Sequence, residues 1–159
     1  MNIFVLSSNT KEAAIWHVDK HIVKMPLESA QMLCTSLHHH GFEAPYKPVH
    51  VKHPCTLWTQ ATRSNYLWLC DLGIELCKEF TYRYGKVHSS EAIINLCLEN
   101  RHVIPDGPLT DFAQAMPDEC KRPNAIDAYR EFYRKHKAHL ATWKARSEPG
   151  WYREELSGV

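Results

Sequence analysis

His17, His21, Lys24, Glu28 and Gln31 follow one another at steps of four, three, four and three within an otherwise apolar stretch. At about 100° per residue they stay within roughly 40° of His17 on a helix, and Thr35 extends the row. Trp16 and Leu27 flank it on one side, Met25 and Met32 on the other, while Ile15, Val18, Ile22 and Leu33 fill much of the remaining circumference. A surface helix usually shows a limited apolar stripe and a broad polar face. Here the polar face is the narrow one, which predicts the lining of a cleft. The plainer alternative is a solvated row of i,i+3 and i,i+4 pairs. Pro26 cannot donate to the Ile22 carbonyl, so a kink or a restart is expected there.

The same pattern predicts the other elements. Asn2 to Ser7 reads as a short strand or extended arm, and a first helix runs from Thr10 to about Leu37, ended by Gly41. Residues 42–54, with Pro45, Pro48 and Pro54, form a loop rich in polar groups. Pro54 opens a second long helix reaching about Tyr84 before Gly85. Trp58, Ala61, Leu69, Leu72, Leu76 and Phe80 form its buried face, with Asn65 and Arg83 in the middle of it. A buried amide needs partners, which the polar row of the first helix would supply. A shorter helix is expected over Ser90–Asn100. Pro105, Pro108, Pro117 and Pro123 make 101–123 a loop, with a helical turn near Asp111 to Met116. Asn124 then caps a helix from Ala125 to about Arg146, ended by Pro149-Gly150. The expected fold is mainly α: a compact single-domain helical bundle over residues 1–159 with a short extended N-terminal arm.

A hydrophobic content of 44 % over 159 residues suits a globular chain with a real core. No apolar run approaches membrane-spanning length, and Met1 to Val5 is too short for a secretion leader. The six cysteines mostly occupy apolar helix positions, so reduced core thiols in a cytoplasmic protein are expected. The net charge of +1 conceals an asymmetry: residues 121–153 hold nine Lys or Arg against three acids, interleaved with Tyr129, Phe132, Tyr133, Trp143, Trp151 and Tyr152. Such a stretch suits a phosphate backbone and unstacked bases, with Arg130, Arg134, Lys137, Lys144, Trp151 and Tyr152 as its contacts. An amphipathic helix with its aromatics in the core is the competing reading.

Two chemistries fit the polar row. His17 and His21 have i,i+4 spacing that allows a shared metal, with His50, His53 and Cys55 to complete a site, although Lys24 would repel the cation. The alternative is acid–base or amine chemistry. Lys24 would attack a sugar or carbonyl carbon to form a Schiff base, Glu28 would move protons, and the histidines would orient substrate. Gln31, Asn65, His50, His53, Arg83 and Lys86 are the expected substrate contacts. There is no GxxxxGK[ST] loop, GxGxxG turn or GxSxG elbow, so phosphate-loop, dinucleotide and Ser-hydrolase readings fall away.

The segments His17–Met25, Glu28–Leu33, Tyr46-Lys47-Pro48, His53-Pro54-Cys55 and Arg83–Lys86 resemble a family of small, uncharacterised proteins of bacterial viruses. More loosely, Asn2–Val5 as an arm, His17 in the first helix and Pro149-Gly150-Trp151-Tyr152 as a tail resemble the phage pyrimidine-dimer DNA glycosylases of the endonuclease V type. That resemblance implies a compact helical domain, an N-terminal amine as nucleophile, a glutamate on the first helix and an aromatic tail that holds damaged DNA. If His17 matches that family's histidine, Lys24 stands where its glutamate would be. Asn2 after Met1 is expected to retain the initiator methionine. The expectation is an enzyme of nucleic-acid metabolism acting on a base or its sugar linkage, with DNA or a nucleotide as partner, no cofactor and no membrane. The alternatives are a non-enzymatic nucleotide- or host-factor-binding protein, or a metal-dependent hydrolase using His17 and His21.

Overall fold

The computed structural model describes residues 1–154 and is mainly α, with no strand among them. Six helices form it: α1 (Thr10–Ile15), α2 (Asp19–His39), α3 (Pro54–Ala61), α4 (Arg63–Tyr84), α5 (Glu91–Glu99) and α6 (Ala125–His136). No helix is long and apolar enough to cross a membrane. Helix α2 packs against α4, α3 and α5, and α1 lies on α4. The arm 2–7 is extended and buried beside α2, and its Phe4 packs on Tyr129, Phe132 and Tyr133 of α6.

Three expected long helices are broken or shortened, each by partners distant in sequence. The first breaks at 16–18, where Val18 is extended. The break frees carbonyls that other elements then occupy. Arg83 donates to Ile15 at 2.8 Å and His17 at 2.9 Å, and the Trp143 indole N–H donates to Trp16 at 2.8 Å. Freed backbone acceptors are tolerated inside only when such donors reach them. Helix α2 continues through Pro26 without interruption. The second expected helix divides at Thr62, which is extended and whose hydroxyl caps α4 by accepting from the Asn65 N–H.

Helix α6 stops at His136 rather than Arg146. The chain then turns through Ala138–Leu140 so that Thr142 accepts from the Asp19 N–H, Lys144 N–H donates to the Asp19 carboxylate, and Arg146 reaches Glu79. The helical turn expected near Asp111 to Met116 is not present; short 3-10 turns occur at Arg101–Val103 and Asp118–Cys120 instead. Local signals at several helix ends do act as expected. Asn124 caps α6, Pro54 opens α3, and Gly85 (φ +70°) and Gly41 (φ +86°) close the turns after α4 and α2. All six cysteines are free and buried.

Candidate active site

The N-terminal arm lies along the polar row of α2 and ends at Glu28. The Met1 α-amine is 3.3 Å from Glu28 Oε1, and the Asn2 N–H donates to the same oxygen at 3.1 Å. Lys24, one turn earlier, places its ammonium 3.3 Å from Glu28 Oε2. One carboxylate thus carries two amines. The Met1 side chain is only 2 % exposed, yet the residue as a whole is half-buried, so the part that meets solvent is main chain. The Lys24 side chain is 64 % exposed.

Asn2 fixes the arm just behind that amine. Its Nδ2 donates to the Ala115 carbonyl at 2.8 Å, and its Oδ1 accepts from the Tyr129 hydroxyl at 2.8 Å and the Ile3 N–H at 2.8 Å. The Cys55 thiol donates to the same Oδ1 at 3.6 Å, and burial pushes that thiol up to about 11. His53 caps α3 by accepting the Cys55 N–H on Nδ1, which leaves its proton on Nε2. Burial first, and then the Met1 amine, hold His53 below the usual imidazole range. His53 therefore belongs to the amine's surroundings. Its neighbour His50 is exposed, with ring centroids 6.5 Å apart.

The two histidines of the row have different surroundings from Glu28. His17 lies in the break before α2 and is fully buried, its Nδ1 donating to the Ala13 carbonyl at 2.6 Å. Burial lowers its pKa from 6.5 to about 4. His21 stacks on Phe4 at 4.2 Å, bonds Tyr133 through Nδ1 at 2.7 Å, and is held at about 2, mainly by burial and then by the charges of His17, Lys137, Lys24 and His139. Both rings are neutral in the folded protein. The unfolded chain binds protons at these positions below pH 6.5 and the native chain does not, so unfolding is favoured as pH falls. The stabilisation is full above pH 6.5 and is lost progressively down to about 4 for His17 and about 2 for His21. Each costs on the order of 3 kcal/mol by pH 4. Urea midpoints at pH 7, 5.5 and 4 should fall steeply, and the fall should be shallower in His21→Phe.

Other expected site residues are placed elsewhere. The Asn65 amide is buried in the first turn of α4 and donates to the Trp58 carbonyl at 2.9 Å and the Thr110 hydroxyl at 2.8 Å. Its Oδ1 accepts the Thr110 N–H. Its partners are thus Trp58 of α3 and the segment after Pro108, not the polar row. Arg83 is buried against Glu79, Asp19 and the carbonyls of the α1–α2 break. Lys86 is exposed beyond Gly85, and Gln31 is half-buried on α2. Thr35, at the end of the row, pins the 42–53 loop by bonding both the N–H and the carbonyl of Val49.

The basic, aromatic C-terminal stretch is largely built into the core. Arg130 lies over Trp16 and Trp151 at 5.2 and 5.4 Å and donates to the Leu6 carbonyl. Arg134 donates to the Trp151 carbonyl and pairs with the buried Glu131. Trp151 is buried, Tyr152 half-buried and packed on Trp143. Lys137 and Lys144 lie over Phe132 and Tyr84, both at 5.1 Å. Stacking and carbonyl bonds engage these side chains internally because the chain folds back at Leu140. Of metal-ligating groups, the described residues gather Glu119, Cys120 and His136 within 4.8 Å. His17, His21, His50, His53 and Cys55 do not converge in that way among the described residues. No protein-family model, characterised protein or solved structure matches the chain.

Proposed function

We propose that the protein is an enzyme of nucleic-acid metabolism that attacks a deoxyribose C1′ with a primary amine, with the Met1 α-amine as nucleophile and Glu28 as its proton acceptor. The observation that carries this reading is the 3.3 Å approach of the Met1 α-amine to a nearly buried carboxylate, with the Met1 side chain packed against the core. The likeness of the arm and first helix to the phage glycosylases points the same way, with Glu28 rather than position 24 as the glutamate.

Two amines touch Glu28, and general chemistry separates them. As a class, α-amines have pKa values of about 7.7–8.0 against about 10.4 for lysine, so a far larger share is unprotonated at neutral pH. The α-amine is therefore the better nucleophile, and the Lys24 ammonium serves as the second cation, on Glu28 Oε2. In the reaction the amine nitrogen bonds to C1′ and gives a proton to Glu28 as the C1′–base bond breaks, and the base leaves with the bonding pair and takes a proton from water. Glu28 passes its proton to O4′ as the ring opens to a Schiff base, which water hydrolyses to return the amine.

An abasic site already carries the ring-opened aldehyde, so it tests the amine without requiring knowledge of the base. Duplex DNA with one abasic site is expected to be nicked by β-elimination well above the buffer rate, and Glu28→Gln should abolish the excess. Nicking no faster than buffer, or equal in Glu28→Gln, would remove the reading.

A further inference from the structure

We propose that His21, Lys24, Lys137 and His139 form a seat for one phosphodiester of a nucleic-acid strand beside the Met1–Glu28 pair. Its centre is the outer edge of His21. The Tyr133 hydroxyl oxygen accepts the Val18 N–H at 3.3 Å and lies 2.7 Å from His21 Nδ1. All three groups are satisfied when Tyr133 donates its proton to Nδ1, which assigns the imidazole proton to Nε2. Phe4, stacked at 4.2 Å and 19°, holds the ring in place. His21 is only 4 % exposed, its Nδ1 is taken by Tyr133, and among the described residues no hydrogen bond is formed at Nε2.

The groups around that edge are two lysines and a histidine. Lys24 is one turn along α2 and mostly exposed. Lys137 ends α6, one turn beyond Tyr133, and its ammonium sits 5.1 Å over Phe132, whose ring in turn stacks on Phe4 at 6.0 Å. His139 follows in the next turn and is exposed. Burial holds the His21 pKa down, and the charges of His17, Lys137, Lys24 and His139 add to it. Glu28, the anion of the row, is already shared between two amines and the Asn2 N–H. Lys24 reaches Glu28, but among the described residues no carboxylate pairs with Lys137 or His139, and a phosphate oxygen accepts from such donors by charge-assisted bonds. Resting on the amine reading above, the seat would hold the phosphate next to the attacked sugar. The expected contacts thus move from Arg130 and Arg134, which are engaged internally, to His21 and His139.

The test follows the histidine side-chain resonances of the full chain by NMR. Inorganic phosphate and an undamaged DNA tetranucleotide are titrated separately, with sodium chloride at matched ionic strength as the control. His21 and His139 should shift saturably with the tetranucleotide and with phosphate, beyond the chloride response. Lys137→Ala combined with His139→Ala should weaken the tetranucleotide at least about 10-fold, as loss of charge-assisted contacts requires, whereas Lys78→Ala on α4 should leave binding as it was. Shifts no larger than with chloride, or affinity untouched by the double substitution, would overturn the seat. Saturation by phosphate but not by the tetranucleotide would overturn its assignment to a strand. Saturable tetranucleotide binding in a protein that fails to nick abasic DNA would support the seat while removing the amine reaction.

Discussion

Glu28→Gln is expected to lower the single-turnover rate on abasic DNA by about 10²–10⁴-fold, the usual contribution of a positioned general base. The amide is close in shape to the carboxylate and can still accept the Asn2 N–H that Glu28 Oε1 accepts at 3.1 Å. The arm therefore keeps its anchor, since Asn2 remains bonded to Ala115, Tyr129 and Cys55. What disappears is the negative charge between the Met1 amine and Lys24. Thermal unfolding measured alongside the rate separates the two consequences: a large kinetic loss with a small melting shift is the expected pair. Lys24→Ala should cost much less, because it removes the second cation and leaves the amine and its acceptor in place.

The largest effect on stability is expected at Arg83. Its side chain is 0 % exposed and its guanidinium serves four acceptors: Glu79 at 2.7 Å, Asp19 at 2.9 Å, and the carbonyls of Ile15 and His17. Arg83→Ala leaves both carbonyls without a donor and two carboxylates short of their cation, with Glu79 still held by Arg146 at 2.9 Å. Breaking a buried ion pair on one side costs about 3–5 kcal/mol. At about 2–4 °C per kcal/mol for a chain of this size, the melting temperature should drop by roughly 10 °C. Arg83→Lys keeps the charge, but three donors on one nitrogen cannot span four acceptors, so it should recover only part of the loss. A fall of under 1 kcal/mol for Arg83→Ala would mean that the α1–α2 break does not depend on this side chain.

How far the chain could be read in advance follows from which partners are local. Asn124, Pro54, Gly41 and Gly85 mark helix ends through their own backbone preferences, so they were legible. The phase of His21, Lys24 and Glu28 was also legible, because those three lie within one uninterrupted helix. His17 was not, since its helical phase assumed continuity through 16–18, where Arg83 and Trp143 bind the carbonyls that a helix would have used. Asn65 was correctly expected to need partners, but Thr110, 45 residues on, supplies two of its bonds. The end of α6 has no glycine or proline to announce it; Asp19, on α2, draws Thr142 and Lys144 into position. His139 carried a weak signal in the His136-Lys137-Ala138-His139 run. The place of Met1 had no periodic signal at all, because an extended arm takes its course from the surfaces it lies on.

The central claim is that the Met1 α-amine, activated by Glu28, forms the covalent bond to the sugar. Borohydride reduction of the protein on abasic DNA, followed by peptide mapping of the adduct by mass spectrometry, tests it most directly, because a reduced imine marks the nitrogen that formed it. The adduct is expected on the peptide that begins at Met1, undiminished by Lys24→Ala and lost when the α-amine is acetylated. An adduct on Lys24, on any other lysine, or no adduct under conditions where the protein binds the DNA would contradict the account.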